Sequence, residues 1–322
     1  MKNSIISLLL FLCLPCTNFA QERYQDNIFK NVKMKTYAYS EKNNEFLLAD
    51  VYSYEKDEEK KRPLLIYVHG GGFASGKRDE KKHNEFCKDM AKKGYVTATI
   101  DYTLWMKDKT FSCDQLSSVK IETFKLTAND ISRAVNFFIE KKDDFGIDTT
   151  KIILLGSSAG AEAILHAAYW SETRKDEEGK VLLSEKFRYA GIISMAGAIT
   201  SLKLINAGNV IPTQLFHGTC DNLVPYSEAP HHYCDMGKPG YLVLYGGYAI
   251  AEHLRSLGKS YYLVTACNGG HEWAGRPLYE NIPQITDFLY NDVLKRSNRQ
   301  LHVILPTDRS DCPEYSDLNF CD

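Results

Sequence analysis

From about residue 63 to 295, short runs rich in β-branched and aromatic residues alternate with longer segments whose apolar residues recur every three or four positions. That alternation predicts strands leading into helices and back, as in a mainly parallel sheet with helices on its faces. Strands are expected at 64–69, 96–102, 152–156, 190–196, 213–217 and 261–266, and helices at 81–93, 119–142, 158–169, 249–257 and 279–295. Ahead of this block, two alternating runs at 32–40 and 45–53 flank Glu41-Lys42-Asn43-Asn44, which predicts an antiparallel hairpin. The charged stretch 55–62 reads as a solvated connection, and 171–188 as a charged insertion after a helix. With neither an internal repeat nor a linker in the pattern, a single α/β domain over 21–296 followed by a tail, 297–322, is expected.

The first twenty residues have a different pattern. Lys2 precedes a largely apolar run over 5–14, and Thr17-Asn18-Phe19-Ala20 ends it, which predicts a signal peptide, 1–20, and an exported product. The run is too short for a membrane span, which needs roughly 20 residues in a helix. Leu10-Phe11-Leu12 before Cys13 and Leu14-Pro15 before Cys16 lack the small residues of a lipoprotein signal.

Export changes how the nine cysteines are counted, since loss of Cys13 and Cys16 leaves Cys87, Cys113, Cys220, Cys234, Cys267, Cys312 and Cys321. An odd set leaves at least one thiol unpaired or paired between chains. Cys312 and Cys321 bracket a short stretch of the tail and form the favoured local bridge. Among these seven, no Cys-x-x-Cys or Cys/His cluster with ligand spacing suggests a metal site. The charge balance, 39 Lys+Arg against 41 Asp+Glu, supplies no basic field for a nucleic-acid backbone.

The strongest chemical signal is Gly156-Ser157-Ser158-Ala159-Gly160, a Gly-x-Ser-x-Gly at the end of a strand run and the start of a helical one. A sharp strand-to-helix turn exposes the central residue, so Ser158 is the candidate nucleophile and Ser157 is not. His69-Gly70-Gly71-Gly72 ends the first central strand, and glycines there can aim N–H groups at a developing oxyanion. Gly71, Gly72 and the N–H of Ala159 are the named donors. A phosphate loop is the competing reading of those glycines, but Gly76-Lys77-Arg78 lacks the hydroxyl residue of a Walker sequence. A serine hydroxyl needs a base and an orienting acid, which in this arrangement follow it in the order acid, then histidine. Asp221, just past the strand expected at 213–217, is the acid candidate, with Glu228 in reserve. Asp101, Asp130 and Asp148 read as structural. His271, in Gly269-Gly270-His271 after the last expected strand, is the base candidate.

Taken in order, His-Gly-Gly-Gly, Gly-x-Ser-x-Gly, His-Gly-x-x-Asp-x-x-Val-Pro and Gly-His resemble the α/β-hydrolase superfamily over about residues 30–296. Within it, His69–Gly76 and Ile100-Asp101-Tyr102-Thr103-Leu104 are similar to bacterial carboxylesterases, including feruloyl and acetyl xylan esterases and the hormone-sensitive-lipase-like group. Thr103 departs from the arginine often found in that last group. The resemblance implies a mainly parallel eight-stranded sheet flanked by helices and a Ser158, His271 and Asp221 triad acting on esters without metal or organic cofactor. It also implies that the strands before Cys220 and Cys267 are neighbours, so these two could form a disulfide; the alternative is that both are small buried side chains.

Three loops are long enough to shape the substrate, 105–118, 171–188 and 226–248. The segment 198–212, where many relatives insert a helical cap, is short, so no large cap is expected. Tyr226, Tyr233, Tyr241 and Tyr245 form either an aromatic wall for a sugar or phenolic acid, or ordinary packing. A small-molecule or carbohydrate-linked ester, with acetyl or feruloyl as the acyl group considered, is the expected substrate. A serine exopeptidase of the same fold and an inactive binding module are the alternatives.

Overall fold

The computed structural model describes residues 21–42, 44–307 and 321. The expected signal peptide and Cys312 lie outside them. The hairpin pairs β1 (Lys33–Lys42) with β2 (Glu45–Ser53), and the alternating units follow: β3 (Arg62–Val68), α1 (Lys81–Lys92), β4 (Val96–Ile100), α2 (Ser117–Glu140), α3 (Lys142–Phe145), β5 (Ile147–Ser157) and α4 (Ala159–Tyr169). Then come β6 (Gly191–Met195), β7 (Thr213–Gly218), β8 (Glu228–Pro230), β9 (Val243–Tyr245), α5 (Gly247–Ser256), β10 (Tyr261–Ala266), α6 (Pro277–Glu280), α7 (Ile282–Asp287) and β11 (Gln300–Leu305). Nine strands form the main sheet in the order β1-β2-β4-β3-β5-β6-β7-β10-β11, while β8 and β9 make a separate two-stranded ribbon. The β1–β2 and β2–β4 pairings are antiparallel, and those from β4 through β11 are parallel.

The apolar runs are explained by burial on both faces. β3, β4, β6, β7 and β10 are buried along their whole lengths, as strands covered by helices on each side must be. In β3, Leu64, Ile66 and Val68 join the core with Phe124 and Ile131 of α2 and Ile164 of α4. The intervening Leu65 and Tyr67 join the second core, with Phe86 and Met90 of α1, Ile285 of α7 and Phe288. This is the two-residue period of a strand read by two helical layers. The edge strand β1 is mostly exposed. Its Lys33 and Lys35 both pair with Glu55, at 2.7 and 2.8 Å, and such charges on an edge discourage pairing with another sheet.

Four expectations change. The sheet has one strand more than eight, because β11 pairs in parallel register with β10 from Tyr261↔Gln300 to Ala266↔Leu305, so ordered structure continues past 296 into the expected tail. The helix expected at 279–295 is broken: Asn281 caps α7, Pro283 occupies its first turn, and Phe288–Leu294 continues in π-helical turns. The charged stretch 55–62 is not simply solvated, since Asp57 is buried and accepts from Arg23, and Arg62 donates to Phe145 O at 2.6 Å and Gly146 O at 3.2 Å.

The fourth concerns the disulfides. Cys321 bonds Cys267, with a Cα separation of 5.4 Å, so neither Cys312–Cys321 nor Cys220–Cys267 forms. Cys113 bonds Cys234 across 121 residues, a pairing between two loops that spacing does not reveal. Cys220 is also disulfide-bonded, and Cys87 is a buried free thiol. Between β6 and β7 the described chain holds only a short 3₁₀ turn, Leu202–Leu204, which leaves no room for a large cap.

Candidate active site

Ser158 stands between β5 and α4 with φ 51° and ψ −122°, a backbone conformation that costs a non-glycine residue about 1–3 kcal/mol. The packing around it holds this turn in place. A Cβ on Gly160 would lie 2.3 Å from Val68 O and 2.5 Å from His69 O, and one on Gly156 would lie 2.5 Å from Gly160 O. Only glycine at both positions lets β5 and α4 close this tightly against β3. Ser158 N–H donates to Met195 O at 2.9 Å, which fixes the turn against the end of β6. The neighbouring Ser157 points away, its hydroxyl donating to Ala274 O.

His271 begins the 3₁₀ turn His271–Ala274 after β10 and brings Nε2 to 2.8 Å from Ser158 Oγ. Its Nδ1 lies 2.8 Å from Asp221 Oδ2. Asp221 is fully buried beyond the end of β7, and its Oδ1 accepts from Leu223 N–H at 2.9 Å and Val224 N–H at 3.0 Å. The three residues named from the sequence therefore form one hydrogen-bonded line. Glu228, the reserve candidate, is exposed in β8. Asp101, set aside as structural, pairs with Arg78 at 2.8 Å, while Asp130 is buried in α2 and pairs with Lys42 at 3.1 Å.

The loops carrying acid and base are joined by backbone contacts in place of the expected disulfide. Cys220 N–H donates to Gly269 O at 2.8 Å, Thr219 N–H to Ala266 O at 3.0 Å, and Asn268 N–H to Thr219 Oγ1 at 2.8 Å. Cys267 instead staples the histidine loop to the chain's last segment.

Electrostatics set the protonation of the line. Burial opposes charge on Asp221, but hydrogen bonds from His217 and His271 hold its carboxyl well below the usual carboxylate range. Burial likewise opposes charge on His271, yet the hydrogen bond and charge of Asp221, helped by Glu272, raise its pKa above 6.5. His217 escaped the sequence reading. Its Nδ1 accepts from Gly247 N–H at 3.3 Å, so Nε2 carries the proton, lying 3.1 Å from Val224 O and 3.4 Å from Asp221 Oδ2. The signal was its place four residues before the acid.

The glycine loop lies beside Ser158. Gly70 is so close that a Cβ would meet Ser157 O at 2.9 Å and Ser158 Cβ at 3.1 Å. Gly71 and Gly72 take φ of 114° and 60°, which turn the chain back so that Ala74 N–H and Ser75 N–H both bond Gly71 O. His69 shapes the turn, stacked on Tyr102 at 4.3 Å, and Tyr102 donates to His69 O at 3.1 Å. Ala159 opens α4, where first-turn N–H groups have no partner within the helix. Of the four tyrosines considered for a wall, Tyr226 is buried and bonds Thr265 Oγ1 at 2.6 Å, which is packing.

A cavity of about 840 Å³ lies elsewhere, lined by Lys151, Arg188, Pro212 and Lys259 at the opposite, amino-terminal ends of the strands. Among the described residues no group of three or more His, Cys, Asp and Glu is arranged to hold a metal, and no helix is long and apolar enough to cross a membrane.

Comparison with known proteins bears on the family and the fold. Gut esterase 1 of Caenorhabditis elegans is 27% identical over 124 residues, 38% of this chain, which spans about a fifth (21%) of that relative's length. Esterase 2 of the planctomycete Thermogutta terrifontis with propionate bound superposes with a TM-score of 0.58 at 17% identity, covering 82% of this chain and 94% of that one. The same enzyme phosphorylated by paraoxon gives 0.56 at 16% identity, covering 80% and 92%. At such identities the likeness is one of fold, and the fold is that of an α/β-hydrolase. The BD-FAE family model matches residues 49–209, which hold the glycine loop and the strand-to-helix turn at Ser158 but not Asp221 or His271. That match covers 161 of the 322 residues, and the chain belongs to the BD-FAE family of α/β-hydrolase esterases.

Proposed function

We propose that the protein is an exported serine esterase that cleaves short-acyl carboxylic esters, acetyl above all, carried on carbohydrate. The observation that carries the chemistry is the line Ser158 Oγ, His271 and Asp221, with both contacts at 2.8 Å. Ser158 Oγ attacks the ester carbonyl carbon while His271 Nε2 takes its proton, and the carbonyl π pair moves to oxygen. The N–H groups of Gly71, Gly72 and Ala159 receive that oxyanion. Collapse of the tetrahedral intermediate breaks the bond to the alcohol oxygen, which leaves with the proton from His271. Water then attacks the acyl-enzyme by the same route and returns Ser158 and a carboxylic acid. Asp221 keeps the Nδ1 proton in place and stabilises the transient imidazolium. The step needs no further reactant.

Short acyl groups are favoured because the structural neighbour from Thermogutta terrifontis holds propionate and, in another structure, butyrate. A site without a large cap suits an ester on a bulky alcohol, and the disulfides fit an oxidising compartment. The test is kcat/KM on acetyl, butyryl and feruloyl sugar esters for the wild type and Ser158→Ala. Acetyl esters cleaved fastest by the wild type, with none cleaved by the variant, is the expected result. Preference for feruloyl esters overturns the acyl assignment, and turnover by Ser158→Ala overturns the mechanism.

A further inference from the structure

The nucleophile helix carries a carboxylic acid that the proposed chemistry does not use. Glu162 lies one turn after Ser158, donating its N–H to Ser158 O at 3.0 Å, and it is fully enclosed. Its Oε1 lies 3.3 Å from Nε2 of His231, which is equally buried. Neither that oxygen nor His231 Nδ1 has a hydrogen-bond partner among the described residues. The groups facing Glu162 come from every side: Lys120 of α2, His217 of β7, Asp221 beyond it, His271 after β10, and His231 in the turn before β9. Lys120 is engaged elsewhere, donating to Gly240 O at 3.2 Å.

His231 belongs to a turn that reaches the acid of the triad. His231 N–H bonds Leu242 O and His232 N–H bonds Leu223 O, both at 2.8 Å, and Leu223 N–H bonds Asp221 Oδ1 at 2.9 Å. His232 and Tyr233 both sit at positive φ, 56° and 49°, and the Cys234–Cys113 disulfide anchors the far end. Strained non-glycine residues of this kind persist only where neighbours hold them. The disulfide holds one end of the turn, and the contact of His231 with Glu162 bears on the other.

We propose that Glu162, as a neutral acid against His231, is a positioning residue of the Ser158–His271–Asp221 line, bracing the turn through which Leu223 holds Asp221, and that its ionisation releases the brace. The inference rests on the triad reading given above. Burial, with the charge of Asp221 adding to it, pushes Glu162 up to about 8 against the pull of His271, Lys120 and His217. Burial and Lys120 drive His231 down to about 3, so at neutral pH the contact joins a protonated carboxyl to an uncharged ring. Above about pH 8 a buried carboxylate would face Asp221, with Lys120 bound to Gly240 O.

The experiment is the pH profile of kcat and KM on para-nitrophenyl acetate for the wild type, Glu162→Gln and Glu162→Ala, with near-ultraviolet circular dichroism to verify folding. The wild type is expected to lose kcat above about pH 8 through one ionisation. Glu162→Gln keeps the shape of the side chain and cannot ionise, so it should stay within about threefold of the wild type at neutral pH and show no alkaline fall up to about pH 9.5. Glu162→Ala should lower kcat roughly tenfold at every pH with KM little changed. If the alanine variant does not fold, the glutamine arm decides alone. An alkaline fall retained by Glu162→Gln, or a wild-type profile flat through pH 8, overturns the inference. If Ser158→Ala is inactive when that happens, the triad reading stands and only the role of Glu162 fails.

Discussion

Replacing Asp221 by asparagine tests the role proposed for it as the orienting acid, because the surrounding donors dictate which way the new amide faces. Oδ1 accepts two backbone N–H groups, from Leu223 at 2.9 Å and Val224 at 3.0 Å, and an NH₂ placed there would meet two donors. The amide oxygen must therefore take the Oδ1 position, which points the NH₂ at His271 Nδ1, where Oδ2 now lies at 2.8 Å. Nδ1 then becomes the acceptor and the ring proton moves to Nε2, facing Ser158 with a proton and no lone pair. Such an exchange of tautomer with intact geometry costs roughly 10⁴ in kcat, about 5.5 kcal/mol in the barrier. The cost in stability is small by comparison: both Oδ1 bonds survive, and His217 Nε2 keeps Val224 O at 3.1 Å when its longer contact with the acid is lost. Stopped assays on para-nitrophenyl acetate, with urea denaturation of the same preparation, measure both quantities. A folded Asp221→Asn enzyme within tenfold of wild-type kcat would refute the reasoning.

Further outcomes follow from the same geometry. Because Asp221 raises His271 above its ordinary 6.5, and the base must be neutral to act, the acid limb of kcat/KM should fall above pH 6.5, and a limb well below pH 6 would contradict it. The sign for stability is opposite for the partners: His271 stabilises the fold at low pH and loses this as pH rises through its raised pKa, whereas Asp221 stabilises it above the usual carboxylate range and loses this on acidification. Gly160→Ala should destabilise the protein by about 1–3 kcal/mol and cut kcat, since its Cβ would lie 2.3 Å from Val68 O, and an unchanged Tm would refute the packing argument. Removing the Cys113–Cys234 bridge by the double exchange to serine frees a loop of 121 residues, for which chain entropy gives up to about 5 kcal/mol. The urea midpoint should drop accordingly, and an unchanged midpoint would mean that the loops are held without it.

The parts of the fold that could be read in the sequence are those where one physical cause dominates. Central strands buried on both faces appear as apolar runs, and the elbow at Gly156–Gly160 needs its glycines because Val68 and His69 oxygens come within 2.5 Å of where a Cβ on Gly160 would be, and Gly160 O within 2.5 Å of one on Gly156. β11 was not legible because it lies on the sheet's outer edge, where Gln300–Leu305 alternates exposed and half-buried and carries no such run. The last helices read as one because Ile282, Ile285, Phe288 and Leu289 keep helical spacing through Pro283 and on into the π-helical turns, which hides the break at Asn281. Disulfide partners depend on loops meeting in space. Cys113 and Cys234 lie on loops after different strands, and Cys321 reaches Cys267 only because β11 runs beside β10. Glu162 and His231 look like ordinary polar residues until α4 and the 231–234 turn are seen to close on each other.

The central claim is that Ser158 is the nucleophile, and covalent labelling tests it most directly. The neighbour from Thermogutta terrifontis is phosphorylated by paraoxon, and the same reagent applied to this protein should transfer one diethylphosphoryl group to an activated hydroxyl. Mass spectrometry of peptides is expected to find that group on Ser158, with esterase activity lost in proportion to labelling and no adduct formed by Ser158→Ala. Labelling at Ser157 or elsewhere while Ser158 stays unmodified, or full labelling with activity retained, would contradict the account.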